Sequence, residues 1–402
     1  MGKIPKSEIQ NPKPGQLVPL LLHWFAANAR DLPWRRTRDP YAVWVSEIML
    51  QQTQVKTVIS FWERWMRELP TLETAAKAPS AKIHKLWEGL GYYTRVRNLQ
   101  KAAQVVVEKH GGKFPDNFDD VLALPGIGRY TAGAICSIAF NQPTPILDGN
   151  VIRVLTRIFG ISENPKEKTT NARLWQLAEE LVAHAKAQGS QSEKLPAFAV
   201  SAALRKNNSC SFLNQSLMEF GATLCTPRNP QCLTCPVQKL CVAFKEGRTE
   251  ELPNLGNRQE ATARRFFAFA IEQRGKFLVR QRPAGVVNAH LWEFPNVEVG
   301  LKAGEPLEVF AELDALRVTD PRSVKQKPLC IVKHSITRYR ITLEAFLVNL
   351  GGMSSTRPHS KSKSATRLAG PHESEIWKTP AQMQSLAFTS AHRRVLRVLL
   401  LK

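Results

Sequence analysis

No stretch of the chain approaches the ~20 consecutive apolar residues that cross a bilayer as a helix, so nothing points to an α-helical membrane protein. Met1 to Gln16 carries lysines and prolines without the apolar core of a secretion signal, and the expectation is a soluble, cytoplasmic protein. Acidic side chains are scarce. Against 56 Lys and Arg there are 34 Asp and Glu, which leaves a formal charge of +22 and a pI near 9.9. A surplus that large concentrates polyanions by Coulomb attraction and counterion release, making nucleic acid the leading partner and an anionic membrane surface the weaker one. There is no internal repeat. Cysteine is sparse too, at 7 in 402 residues, and three of the seven (Cys136, Cys210, Cys330) are scattered without ligand spacing.

The other four are not scattered. Cys225, Cys232, Cys235 and Cys241 stand with six, two and five residues between them. Four thiolates that close together in sequence can surround one soft metal centre, either an iron–sulfur cluster or a structural zinc. Two disulfides would suit a secreted module, and the chain has no export signal.

At 402 residues and 43% hydrophobic content the chain has material for two or three domains with real cores. Leu17 to about Ala243 reads as helical. Asp39-Pro40 fits an N-cap with a first-turn proline, followed by helical spacing from Tyr41 to Met66. Ala187 to Ser211 lapses into polar and small residues and reads as a surface insertion. The polar stretch 245–262 reads as a linker. Phe266 to Val279 and Ile341 to Val348 alternate like strands, so the second domain is α+β. Residues 351–371, rich in Ser, Lys, Arg and Gly, read as a disordered loop.

Within the helical part, Leu124-Pro125-Gly126-Ile127-Gly128-Arg129-Tyr130-Thr131-Ala132 allows a tight glycine turn ahead of a helix N-terminus. With Asp119 and Asp120 opening a short preceding helix, the segment reads as a helix-hairpin-helix that grips a DNA phosphate through Gly126, Gly128 and Arg129 without reading sequence. Two acids stand out. Glu47 shares a helix face with Val43, Trp44, Leu50 and Gln51, and a carboxylate on an apolar stripe is pushed towards neutral pKa, as a general acid requires. Asp148 precedes the apolar period Val151, Leu155, Ile158, where it can be an N-cap, with Asn150 as the rival cap.

Trp44 to Gln54, Gly89-Leu90-Gly91-Tyr92-Tyr93, Leu124 to Ala132, Ile146 to Val151 and the four cysteines together closely resemble the MutY-type adenine DNA glycosylase family, over roughly Leu17 to Phe244. The resemblance implies a mainly α helix-hairpin-helix glycosylase domain (17–244, after a tail 1–16) whose cysteine loop 225–241 holds one 4Fe–4S cluster. It implies a monomer acting on double-stranded DNA that carries adenine opposite 8-oxoguanine or guanine. It assigns Glu47 as the acid that protonates adenine and helps activate water, and Asp148 as the carboxylate that stabilises the cationic sugar. Asn150 then orients these groups. Gln51, Gln52, Thr53 and Tyr92 fall among the DNA-contacting positions, and Trp34, Arg35 and Glu219 among those of the adenine pocket. It also implies that the cluster shapes a basic loop against phosphates. In endonuclease III, a related enzyme, a lysine nucleophile stands where this chain has Tyr130; a phenol forms no Schiff base, so a monofunctional enzyme is expected.

Leu291-Trp292-Glu293-Phe294-Pro295 and Ser390-Ala391-His392-Arg393-Arg394 resemble the family's Nudix-like lesion-recognition domain, here 263–402. The acidic cluster that would hold magnesium is missing after Pro295, so this domain should bind and not hydrolyse. Its lesion-reading loop usually runs Phe-Ser-His. This chain has Ile336-Thr337-Arg338, with Thr337 and Arg338 as the candidate lesion contacts.

Overall fold

The computed structural model describes residues 11–191, 208–256, 260–300, 325–336, 338–350 and 375–401. The chain divides into two compact units, Met1–Lys77 with Asn98–Arg258, and Ala78–Arg97 with Gln259–Lys402. The segment Ala78–Arg97 therefore leaves the helical part that flanks it in sequence.

In chain order the helices are α1 (Pro14–Asn28), α2 (Pro40–Leu50), α3 (Val55–Glu68), α4 (Leu72–Lys77), α5 (Ser80–Trp87), α6 (Thr94–His110), α7 (Phe118–Leu122), α8 (Arg129–Phe140), α9 (Gly149–Ile158), α10 (Lys168–Gln191), α11 (Ser209–Thr223) and α12 (Val242–Lys245). α1 begins at Pro14, inside the stretch read as a tail. Asp39 caps α2 as expected, accepting from the Tyr41 and Ala42 N–H groups, with Pro40 at the first position. The helical spacing to Met66 is interrupted, however. Gln51-Gln52-Thr53-Gln54 offers no apolar side chain to bury, and α2 ends there, with Gln52 in the left-handed region at φ +57°.

Tyr41 to Met49 of α2 are all buried, so α2 is a core helix that is covered on every side. It shares one apolar core with α1 (Leu17, Val18, Leu21), α8 (Ala134, Ile138), α9 (Val151, Val154, Leu155, Ile158), α10 (Leu174, Leu181) and α11 (Leu213, Leu217, Phe220). The expected insertion Ala187–Ser211 is helical at both described ends. The N–H groups of Cys210 and Ser211 donate to Asn141 Oδ1, each at 3.1 Å, which fixes the start of α11; residues 192–207 lie outside the described residues. The stretch read as a linker is packed at Leu252, which is 2% exposed among Cys241 and Ala243.

The second unit is built on a mixed sheet of β1 (Thr262–Gln273), β2 (Lys276–Gln281), β3 (Trp292–Glu293), β4 (Asn296–Val299), β5 (Cys330–Ile336), β6 (Tyr339–Asn349) and β7 (Glu375–Lys378). The run Phe266–Val279 is two strands, because Arg274 (φ +52°) and Gly275 (φ +74°) turn it into a hairpin. β1 lies parallel to β6, with Thr262 opposite Tyr339 and Glu272 opposite Asn349, and β5 pairs antiparallel to β6. One face buries Phe267, Phe269 and Phe346. The other carries the C-terminal helix Ser390–Leu400, whose Val395, Leu396 and Leu399 pack with Val279, Phe294 and Val332. The loop 351–371 lies outside the described residues.

Candidate active site

A cavity of about 480 Å³ opens in the first unit where α2, α8, α9 and α11 meet the Arg30–Arg35 turn. It is lined by Glu47, Gln51, Gln52 and Thr53 from α2 and its end, Tyr130 from α8, Asp148 and Asn150 at the start of α9, Trp34 and Arg35, and Glu219 from α11. Residues chosen from five separate stretches of sequence thus line one cavity.

Glu47 stands on the last turns of α2, 4% exposed. The Tyr130 hydroxyl donates to its Oε2 at 2.8 Å and lies 3.3 Å from the Met218 sulfur. Burial drives the Glu47 pKa from 4.5 up to about 7. The Tyr130 hydrogen bond opposes that rise, and the nearby Asp148 adds to it. The Tyr130 phenol is itself raised by burial and the two carboxylates, so it stays a donor.

Asp148 is the N-cap of α9 and Asn150 is not. Asp148 Oδ1 accepts from the Val151 N–H at 2.7 Å, and its Oδ2 accepts from Asn150 Nδ2 at 2.9 Å. Burial raises this carboxyl too, but the Val151 and Asn150 donors and the Arg153 charge pull it the other way. Two carboxyls in one cavity therefore sit in different settings, one bonded to the Tyr130 hydroxyl and the other held by a helix N-terminus. Arg153 extends the second setting, donating from Nη2 to Asn150 Oδ1 at 2.8 Å and from Nε to the Cys225 carbonyl at 2.8 Å.

At the far wall, Glu219 is 1% exposed and doubly ion-paired, to Arg30 Nε at 2.6 Å and Arg35 Nη2 at 2.8 Å. Burial alone would raise its carboxyl; the hydrogen bonds from Arg30 and Arg35 outweigh that and hold it down at about 2. Trp34 is buried, with its ring 6.1 Å from that of Trp62. The sequence reading missed Arg30, Gln215 and Met218, which also line the cavity. Arg30 and Glu219 are 189 residues apart in sequence, and no local pattern links them.

The hairpin is a turn with Pro125 second and Gly126 third at φ +77°, closed by the Ile127 N–H on the Leu124 carbonyl at 3.1 Å. A Cβ at Gly126 would meet Asn98 Cβ at 2.5 Å, so glycine is required twice over. Gly128 has ordinary φ and open space, and serves as the N-cap of α8. Gly126, Gly128 and Arg129 are exposed, with the Arg129 guanidinium 4.0 Å above the Trp175 ring. Tyr92 belongs to the second unit, 45% exposed at φ +48°.

Among the described residues no three His, Cys, Asp or Glu side chains group to hold a single metal ion. Cys225, Cys232, Cys235 and Cys241 nevertheless line one recess, together with Arg157, Phe220 and Phe244. Four thiols around one recess are a donor set that suits an iron–sulfur cluster as well as a structural zinc. Burial pushes the Cys235 thiol up to about 12 and the Cys241 thiol to about 11, so ligation has to displace protons. Arg157, 1% exposed on α9, donates to Cys225 Sγ at 3.4 Å and to the Thr226 carbonyl at 2.7 Å. In the second unit, Arg338 is exposed and its Nη2 donates to the Tyr339 hydroxyl at 3.1 Å. Thr337 lies outside the described residues.

Three known families match the chain, the first across Ala78–Arg97, which packs with the second unit. The HhH-GPD superfamily base excision DNA repair protein matches residues 45–180, the iron-sulfur binding domain of endonuclease III matches 225–241, and the NUDIX domain matches 267–398. The adenine DNA glycosylase of Rattus norvegicus is 35% identical over 94% of this chain and 77% of its own. That of Homo sapiens is 34% identical over 94% and 73%, and that of Buchnera aphidicola 32% identical over 82% and 87%. The cysteine loop is thus an iron–sulfur binding domain, no described helix is long and apolar enough to cross a membrane, and the chain belongs to the adenine DNA glycosylase family, base excision repair enzymes that hydrolyse an N-glycosyl bond in DNA.

Proposed function

We propose that this chain removes adenine mispaired with 8-oxoguanine or guanine, and that it does so as a monofunctional hydrolase. Adenine in a duplex is out of reach of any side chain, so the base must be turned out into the 480 Å³ cavity. There Glu47, protonated, gives its proton to the leaving purine while the bond to deoxyribose breaks. Adenine is a poor anionic leaving group, and protonation in the transition state is worth about 10²–10⁴ in rate. The sugar meanwhile gains oxocarbenium character, which the Asp148 carboxylate stabilises. Glu47, now ionised, helps a water add to the sugar. Tyr130 and Asn150 hold the two carboxyls in place.

The observation that carries this reading is the Glu47 carboxyl, 4% exposed, its pKa near 7 and its Oε2 bonded to Tyr130, in one cavity with Asp148. Glu219, fixed by Arg30 and Arg35, and Trp34 form the wall against which the flipped base rests. The exposed Gly126 to Arg129 turn grips the backbone, Tyr92 wedges beside the vacated position, and Gln51, Gln52 and Thr53 face the helix stack. A 4Fe–4S cluster on the four cysteines stiffens the loop that carries the exposed Arg228 and Lys239 towards phosphates, without redox work in base removal. The second domain reads the opposite base through Thr337 and Arg338 and does not hydrolyse nucleotides.

Single-turnover cleavage of duplexes bearing adenine opposite 8-oxoguanine, guanine and thymine tests it. The first two should be processed and the third left, and Glu47→Gln should lose activity on the first two. Near-native activity in Glu47→Gln, or a covalent adduct between the wild type and abasic DNA after borohydride reduction, would overturn the reading.

A further inference from the structure

Glu88 is 5% exposed and lies outside the catalytic cavity, yet it is heavily bonded. Its Oε1 accepts from the Phe388 N–H at 2.9 Å, across 300 residues of sequence. Its Oε2 accepts from Lys85 Nζ at 2.7 Å and faces Arg393 Nη1 at 3.7 Å, while Arg393 Nη1 donates to the Glu88 carbonyl at 3.1 Å. Lys85 also donates to the Leu386 carbonyl at 3.0 Å. Taking a carboxylate out of water costs several kcal/mol unless its partners are well placed. Here those partners bind two segments of chain together, 85–88 and 386–393.

Each segment leads to a recognition element. Glu88 opens the turn in which Gly89 (φ +112°), Gly91 (φ +72°) and Tyr92 (φ +48°) are all left-handed. Arg95 Nη2 donates to the Leu90 and Gly91 carbonyls and Trp87 Nε1 to that of Gly91, which leaves the turn little freedom and Tyr92 outward. Phe388 is fully buried against Phe294 and precedes the C-terminal helix. That helix packs on Val332 of β5, the strand that runs into Ile336 and the candidate lesion loop.

We propose that Glu88 is a positioning residue that fastens the Tyr92 turn to the C-terminal helix and β5, so that both recognition elements meet DNA as one body and the preference for the base opposite adenine depends on it. The proposal rests on the reading of Tyr92 as the wedge and of the β5 end as the lesion reader. It adds a rigid connection between them made of packed side chains and hydrogen bonds.

Glu88→Ala and Glu88→Gln test it in the full-length holoenzyme. Glu88→Gln keeps the Oε1 acceptor for Phe388 and guards against mere misfolding. Hydrogen exchange without DNA should accelerate together at the Phe388 amide and at residues 89–93 in Glu88→Ala, and much less in Glu88→Gln. The ratio of single-turnover rates, 8-oxoguanine over guanine, should fall about 5- to 100-fold in Glu88→Ala, the usual span of coupling between sites, with iron content unchanged. Unchanged exchange overturns the clasp. A ratio within about twofold of wild type, including an equal loss on both duplexes, overturns the coupling. A wild type with no preference between the two bases would sink the lesion reading and the coupling with it, whereas the exchange result, which needs no DNA, still decides the clasp.

Discussion

Replacing Glu47 by glutamine should make the protein more stable and less active, and the gain should depend on pH. In the folded protein the Glu47 pKa is about 7, against 4.5 ordinarily, with burial as the main cause. An acid whose folded pKa is raised binds its proton more tightly when folded, so stability is lost as pH climbs from 4.5 and the loss is complete above about 7. At about 1.4 kcal/mol per pH unit that gap amounts to roughly 3 kcal/mol at pH 8. At pH 4 both forms are neutral and the penalty disappears. Glutamine keeps the shape and an oxygen to accept from Tyr130 but never ionises, so thermal melts should put Glu47→Gln a few degrees above wild type at pH 8 and near it at pH 5. The wild-type excision rate should fall near tenfold per unit above about pH 7, as the acid form of Glu47 is titrated away, and fall again in acid as the Asp148 carboxylate is protonated. A melting gain equal at both pH values, or a loss at pH 8, would refute the buried-acid reasoning; so would an excision rate that rises through pH 8.

Tyr130→Phe removes the hydrogen bond that lowers the Glu47 pKa, so the alkaline limb of the pH–rate profile should move to higher pH; an unmoved limb contradicts the coupling. Asp148→Asn still offers an oxygen to the Val151 N–H, so stability should change by less than about 1 kcal/mol, while excision falls about 10²- to 10³-fold. Melting and single-turnover assays decide it, and a cap that fails along with activity would point to a structural role. Arg157→Ala strips donors from the Cys225 sulfur and the Thr226 carbonyl and should lower iron content and visible cluster absorption in the purified protein; full iron occupancy would count against that support. DNA affinity should drop steeply between low and moderate salt, since the Gly126–Arg129 turn and the +22 charge act on phosphates, and a flat response would exclude them as the main contact.

What could be read in sequence was what short stretches of backbone encode. The Asp39-Pro40 cap, the Leu124–Ile127 turn and the Asp148 start of α9 each rest on a residue and its neighbours within four positions, and the structure has all three. Glu47 was visible for a similar reason, as a carboxylate on a stripe that only a buried helix would carry. The break after Leu50 was hidden because the apolar stripe resumes at Val55, so periodicity carried across a gap of four polar residues that in fact turn the chain. Other features depend on pairings no period records. Arg30 meets Glu219 across 189 residues, and Arg153 ties Asn150 to the Cys225 carbonyl 72 residues on. Glu88 looks in sequence like a charge at the end of a surface helix. Only the fold, by bringing Phe388 and Arg393 against it, turns that charge into a buried anchor. The contrast has a physical cause. Caps and turns are satisfied within one or two turns of chain, whereas a buried ion pair is chosen by whichever distant segment supplies the opposite charge, and many segments of a chain this basic could supply it.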